Sequence, residues 1–340
     1  MKVLLIKTSS LGDVFHTLPA IEDVWQARPD IQIDWVVEEA FADIPTWHPA
    51  IRQVIPIAWR RWRKQLWRSS NRAEMAHFWR TLRREQYDVV LDAQGLLKSA
   101  MVARMARGER IGLDRDSARE PLASRFYQRR IAIATGQHAI PRLRQLFAEV
   151  FDYRLTGDIR YGVDKARWSP PDIDKPYWVF LHGTTWVTKY WPEAYWRTLA
   201  ERVGELGMQV CLPWGNDEER QRAERIAEGL SAVSVLPKMG LNALNAYLAH
   251  AQAVVGVDTG LSHVVAALEV PAVTIYGATD ARLTGVKGAQ VQVMSSTLGC
   301  APCLSKTCLK PDNGAIQAPC YRDITPERVL ADLMARVNSR

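Results

Sequence analysis

Ala253-Val254-Val255-Gly256-Val257-Asp258-Thr259-Gly260-Leu261-Ser262-His263-Val264-Val265-Ala266-Ala267-Leu268 is an apolar run of strand length that breaks at Asp-Thr-Gly and resumes as a small-residue, apolar helix pattern. It reads as a buried parallel strand turning sharply into a helix, and the turn is where chemistry belongs. The free N–H groups and positive dipole end of such a helix favour an anion, and Thr259, Gly260 and Ser262 are small enough to let a phosphate reach the main chain. Asp258 and His263 are placed to add directed hydrogen bonds. Two readings of each stay open: Asp258 as helix cap or ligand, His263 as interior histidine or ligand.

The same alternation runs outward from this stretch. Upstream lie a strand at Trp178–Leu181 with a loop at His182-Gly183-Thr184-Thr185, a helix from about Pro192 to Leu206 and a strand at Gln209–Leu212. The turn Pro213–Asp217, a charged helix, a strand at Val233–Leu236 and a helix at Asn242–Ala251 follow; downstream come Ala272–Tyr276 and the turn Gly277–Asp280. The first half repeats the theme with strands at Lys2–Lys7, Ile31–Val37, Val54–Ile57 and Asp88–Leu91, the last ending in the polar turn Asp92–Gly95 before a helical pattern at Leu97–Ala106. Arg110–Arg130 is arginine-rich and reads as loop and helix. Between Thr156 and Pro176 periodicity fades and prolines gather, the mark of a linker. At 340 residues the chain exceeds one ordinary core. The pattern predicts two doubly wound parallel sheets, over 1–160 and 161–324, with the ligand site in the cleft between them. A closing helix from Pro326 to about Asn338, capped by Thr325, carries Val329, Leu330, Leu333, Met334 and Val337 along one side.

Lys7-Thr8-Ser9-Ser10-Leu11-Gly12-Asp13-Val14-Phe15-His16 follows the first strand and opens a helix running to about Gln26. A parallel sheet puts its ligand crevice at the carboxyl ends of its strands, so this loop is a site position, with Gln94 and Lys98 at the same edge. Asp13 is the only carboxylate in that loop. It is either a first-turn acid favoured by the helix dipole or a general base within reach of an acceptor hydroxyl. The loop lacks Gly-x-Gly-x-x-Gly, which argues against a dinucleotide-dependent oxidoreductase.

The net charge of +7 is unevenly spread: residues 1–160 hold 26 Lys and Arg against 19 Asp and Glu, and residues 161–340 hold 18 against 18. The first half should therefore meet something anionic. Its densest basic segment, Trp59-Arg60-Arg61-Trp62-Arg63-Lys64-Gln65-Leu66-Trp67-Arg68, fits nucleic acid, a membrane surface, or a solvated face with its tryptophans packed inward. The apolar start Met1–Lys7 is too short for a signal peptide or a membrane span, which places the protein in the cytoplasm. Cys211 sits in a strand pattern, whereas Cys300-x2-Cys303-x4-Cys308-x11-Cys320 clusters in a Pro- and Gly-containing segment. In a cytosolic protein that cluster is either a structural zinc site or a set of free surface thiols.

Lys7–Asp13, His182–Thr185 with Lys189-Tyr190-Trp191-Pro192, and Val257–His263 occur together and in this order, and on these motifs the chain resembles the family 9 glycosyltransferases essentially end to end. The resemblance implies the GT-B fold, two Rossmann-like domains facing a cleft, with the last helix crossing back onto the first domain. It implies inverting transfer of L-glycero-D-manno-heptose from ADP-heptose to the inner Kdo of Kdo2-lipid A in lipopolysaccharide core synthesis, with no required cofactor or metal. The first domain would hold the anionic acceptor and the second the nucleotide sugar. Asp13 then corresponds to the catalytic base. Thr184, Thr185, Lys189 and the N–H groups at Thr259 and Gly260 would steady the departing ADP. Asp258 matches the heptose-binding position and His263 one near the phosphates, while Glu219 matches the acid that binds the ribose and Met239 the adenine contact. Lys7, Ser10, Arg60, Arg61, Arg63, Lys64, Gln94 and Arg119 would meet the acceptor. Trp59, Trp62 and Trp67 gain a third reading, at lipid headgroups of the inner membrane's cytoplasmic face. The rivals are a member of the same family with a different core acceptor and, further off, a nucleic-acid-binding protein, which would leave the Asp258–His263 and Thr184–Lys189 motifs idle.

Overall fold

Lys2–Ile6 is the first strand (β1), and its last four residues are buried on both faces, as a central parallel strand requires. Helix α1 (Leu11–Ala27), β2 (Gln32–Glu38), β3 (Ile51–Ile57), the short α2 (Trp59–Trp62), α3 (Ser69–Arg84), β4 (Gln86–Asp92), α4 (Leu97–Met105), β5 (Arg107–Leu113), β6 (Arg129–Ile131) and α5 (Ala139–Phe151) follow. All strand pairs are parallel, in the order β3-β2-β1-β4-β5-β6. The computed structural model describes residues 1–64, 69–310 and 318–338. Within it the chain divides into two units, Met1–Val163 and Asp164–Arg340.

The second unit repeats the plan with β7 (Tyr177–Leu181), α6 (Glu193–Glu205), β8 (Gln209–Leu212), α7 (Asp217–Ala227), β9 (Val233–Val235), α8 (Leu241–His250), β10 (Ala253–Val257), α9 (Gly260–Ala267), β11 (Ala272–Tyr276), the short α10 (Ala281–Thr284), β12 (Val291–Ser295) and α11 (Pro326–Val337). Its parallel order is β12-β11-β10-β7-β8-β9. Each sheet therefore reverses its strand order once, between β1 and β4 in the first unit and between β7 and β10 in the second. At such a switch point the loops leaving the two central strands diverge and open a ligand crevice. The expectation of doubly wound parallel sheets holds in both units.

Three local expectations need correction. Arg110–Arg130 begins within β5 and ends within β6, and only the stretch between them is the expected loop and helix, the latter a 3-10 helix at Pro121–Phe126. The first half of β5 is Arg107-Gly108-Glu109-Arg110 with exposed charges, so only Ile111 to Leu113 carry a buried-strand signal. Helix α11, expected on the first domain, has its apolar side in the core of the second unit: Val329 and Leu333 are fully buried with Trp191, Trp196, Met294, Tyr321 and Ile324. Trp191 Nε1 donates to the Ile324 carbonyl at 2.9 Å, so the chain is anchored to the second core before the helix begins. Trp62, finally, is core: it is 3% exposed, packs edge-on to Phe78, and its Nε1 donates to Glu74 at 3.1 Å. Trp59 packs partly buried against the same cluster, while Trp67 lies outside the described residues. The inward-packed reading of this segment thus holds for Trp62 and in part for Trp59, and burial removes Trp62 from the headgroup reading.

Candidate active site

In the second unit the all-buried strand β10 delivers Asp258 to the switch point, and Thr259 caps α9 in extended conformation. The Asp258 carboxylate is engaged on one oxygen: Oδ2 takes the Lys189 ammonium at 2.7 Å and the Thr279 hydroxyl at 2.6 Å. Its own carbonyl accepts from Thr184 Oγ1 at 2.9 Å, which ties the loop after β7 to the loop after β10. Asp258 is therefore not a helix cap; its side chain reaches across to the loops after β7 and β11. Lys189 Nζ also stands 4.6 Å from the Trp186 ring centroid, so an aromatic face and a carboxylate together orient one cation. Ser262 Oγ donates back to the Val257 carbonyl at 2.9 Å and pins the first turn of α9. His263 is buried on that helix, Thr185 is exposed, and Gly260 opens the helix.

Glu219 sits at the start of α7, beside the same edge of the sheet. Its Oε2 accepts from the Gly215 amide at 2.7 Å, and its own amide donates to the Asn216 cap at 2.9 Å. A Cβ on Gly183 would stand 2.7 Å from the Glu219 carboxyl carbon, so the acid lies directly on the loop after β7. Met239 is half-buried in the loop ahead of α8. Its neighbour Lys238 stands over Trp214, whose Nε1 donates to the Leu236 carbonyl at 2.7 Å. His182 is fully buried; burial first and the Arg222 charge second bring its imidazole down to about 4, so it is neutral at physiological pH.

In the first unit the crevice is a pocket of about 260 Å³ whose lining includes Lys7, Asp13, Gln94, Arg119 and Arg142. Ser10 caps α1 and holds Asp13: its amide and its hydroxyl both donate to Asp13 Oδ2, at 2.7 and 3.1 Å. Both bonds fall on Oδ2, and Asp13 lines the pocket. Lys7 is buried and donates to the Ala93 carbonyl at 3.1 Å. Burial lowers its pKa, against the opposing fields of Asp13 and Asp92. Gln94 Oε1 accepts from the amides of Thr8 and Ser9 at 3.0 and 3.3 Å, joining the loops after β1 and β4. Gly95, at φ +69°, turns the chain so that the Glu120 amide reaches its carbonyl at 3.0 Å, which brings Arg119 alongside Gln94.

Sequence reasoning missed Arg142, Thr279 and Trp186. Arg142 is on α5 and donates to the Ser117 carbonyl, leaving its buried Nε without a partner among the described residues. Nothing in an amphipathic helix marks one arginine as facing a pocket. Thr279 was legible only as part of a polar turn. Arg60, Arg61, Arg63 and Lys64 do not line the Asp13 pocket and form an exposed basic face instead. Arg61 on that face is engaged by Glu39, Glu74 and Asn71. The four clustered cysteines line one small cavity in the second unit. Burial first, then the neighbouring Cys308, Cys303 and Cys300 thiols, push the Cys320 thiol up to about 12.

A half-buried carboxylate–lysine pair at one switch point and a caged aspartate among cations at the other suit transfer between an anionic donor and an anionic acceptor. The profile of glycosyltransferase family 9 (heptosyltransferase) matches residues 75–312. The chain belongs to glycosyltransferase family 9. This glycosyltransferase is 52% identical to lipopolysaccharide heptosyltransferase 1 of Pseudomonas aeruginosa over 346 residues, 98% of each chain. Among solved structures it resembles E. coli heptosyltransferase WaaC with ADP, at TM-score 0.87 and 44% identity, covering 99% of this chain and 100% of that one. WaaC with ADP-2-deoxy-2-fluoro heptose matches at TM-score 0.84 and 43% identity, covering 98% and 99%. The fold is the GT-B-like one of these heptosyltransferases.

Proposed function

We propose that this family 9 glycosyltransferase moves L-glycero-D-manno-heptose from ADP-heptose to the inner Kdo of Kdo2-lipid A, with inversion. The observation that carries the reading is the Lys189–Asp258–Thr279 cluster at the start of α9, in a chain half identical to proteins named for heptosyl transfer. Asp258 presents its carboxylate to the heptose hydroxyls. Lys189 lies one hydrogen bond away, close enough to serve the diphosphate, and the amides at Thr259 and Gly260 add uncompensated donors. Glu219 takes the ribose hydroxyls and Met239 packs the adenine. Thr185 and His263 complete the donor side.

The acceptor reading rests on the Asp13 pocket. Oδ1 of Asp13 removes the proton of a Kdo hydroxyl as that oxygen bonds to the anomeric carbon, and the carbon–oxygen bond to the diphosphate breaks with its electron pair leaving on ADP. Lys7, Arg119 and Arg142 receive the acceptor's carboxylates, with Ser10 and Gln94 fixing the loop that carries the base. Arg60, Arg63 and Lys64 suit peripheral contact with an anionic membrane surface, at roughly 1 kcal/mol each. No helix among the described residues is long and apolar enough to cross a membrane.

ADP release from ADP-heptose, measured with and without Kdo2-lipid A, tests the reading. Acceptor-dependent release is expected, reduced by about 10²-fold or more in Asp13→Ala while ADP still binds. No release with this acceptor would move the function to another family member's substrate. Full activity of the variant would remove Asp13 as the base. Failure of the protein to float with anionic liposomes at low salt would discard the membrane contact.

A further inference from the structure

Cys300, Cys303, Cys308 and Cys320 come from two separate stretches of chain, yet all four line a single cavity of about 20 Å³, together with Thr188, Gly277 and Ala278. That volume suits one water-sized body. The cavity's walls are fixed by the backbone. The Leu304 amide donates to the Ala278 carbonyl at 2.8 Å, which holds the loop carrying the first three cysteines against the turn after β11. On the other side, a Cβ on Gly277 would stand 2.9 Å from Cys320 Sγ, so this sulfur lies against the same turn.

We propose that these four cysteines bind one zinc ion as a tetrahedral tetrathiolate site. A two-residue spacing at Cys300 and Cys303 is that of zinc-ligating pairs, and four thiolates with no histidine or carboxylate select zinc over harder cations. Among the described residues no three such side chains already stand in ligating geometry. Binding therefore draws the exposed Cys300 and Cys303 sulfurs inward onto Cys308 and Cys320. Four thiols lose their protons to solvent, four Zn–S bonds form, and nothing is oxidised.

The site would act on the donor pocket through two short connections. Thr188 Oγ1 donates to the Ser305 carbonyl at 2.6 Å, within the cysteine loop, and its own carbonyl accepts from Tyr321, the residue after Cys320, at 2.8 Å. Thr188 precedes Lys189. On the opposite wall, Gly277 and Ala278 lead directly to Thr279, the second partner of Asp258. An ion in the cavity would hold both partners of Asp258 from behind without touching substrate, which makes the four cysteines positioning residues.

Elemental analysis of the full chain, purified without chelators or metal-affinity resin, should find about one zinc per chain. Cys303→Ser and Cys308→Ser should each lower zinc affinity at least about tenfold, whereas Cys211→Ala, in the core of β8, should retain the metal. Cobalt substitution supplies a readout independent of activity and of those variants: a tetrahedral tetrathiolate gives intense d–d bands and a sulfur-to-metal charge-transfer band. A wild-type chain that holds no zinc after reconstitution, contains stoichiometric iron instead, or shows a disulfide among the four under reducing expression would overturn the proposal. So would cobalt spectra of an octahedral, oxygen-ligated ion.

Discussion

Gly183 owes its identity to Glu219. The space its Cβ would fill is held by a carboxylate, the mobile end of a long side chain, so Gly183→Ala should fold and push the acid aside. On the proposed ribose role of Glu219, displacing that one hydrogen-bonding acid costs about 1–2 kcal/mol, and the expected result is a KM for ADP-heptose raised about tenfold with kcat nearly unchanged. Equal loss in kcat would mean that Glu219 acts in the transition state and not in binding. The preceding residue gives a pH signature. Unfolded, His182 takes up its proton near pH 6.5; folded, only near 4, because burial excludes the charge. The unfolded chain thus binds more protons across that window, and stability is full above it and falls as pH drops through it. The loss is roughly 3 kcal/mol at the acid end. Urea midpoints of the wild type should decline more steeply between pH 6.5 and 4 than those of His182→Gln, and parallel declines would show that the imidazole is not the group responsible.

At the scale of elements, one device is used twice. In each unit a side chain from one central-strand loop bonds the backbone of the other: Gln94 accepts from Thr8 and Ser9, and Thr184 donates to Asp258. The loops that carry both devices were legible, because parallel strands buried on both faces read as unbroken apolar runs and their polar ends stand out, but the bonds between the loops were not. The edges were not. β5, β6 and β12 are partly exposed: β5 and β6 mix charge with apolar residues, and β12, Val291-Gln292-Val293-Met294-Ser295, is five residues with no continuous apolar run, so none of them reads as a buried strand. Arg142 was invisible for a related reason: which face of α5 meets the pocket depends on tertiary packing. The side of α11 was legible as an apolar stripe, but its partner was not. Since Leu333 is fully buried in the second unit's core, Leu333→Ala should cost about 2–4 kcal/mol and lower the midpoint of the transition that bound ADP shifts upward. A loss under about 0.5 kcal/mol would place α11 elsewhere in solution.

Over the whole molecule, the division of charge should separate the two substrates kinetically. The whole excess of positive charge lies in residues 1–160, where Lys7, Arg119 and Arg142 line one pocket. The cation on the donor side, Lys189, is instead matched by Asp258 at 2.7 Å. Raising ionic strength from about 0.1 M to about 1 M shortens the Debye length from about 10 Å to about 3 Å, which screens an acceptor approaching the exposed basic face far more than it disturbs a paired, half-buried lysine. KM for the lipid acceptor should therefore climb severalfold over that range while KM for ADP-heptose changes by less than about twofold, and Arg119→Ala with Arg142→Ala should flatten the acceptor's dependence. If the donor proves as salt-sensitive as the acceptor, the basic first unit is not what captures the glycolipid, and its charge must serve the membrane surface alone.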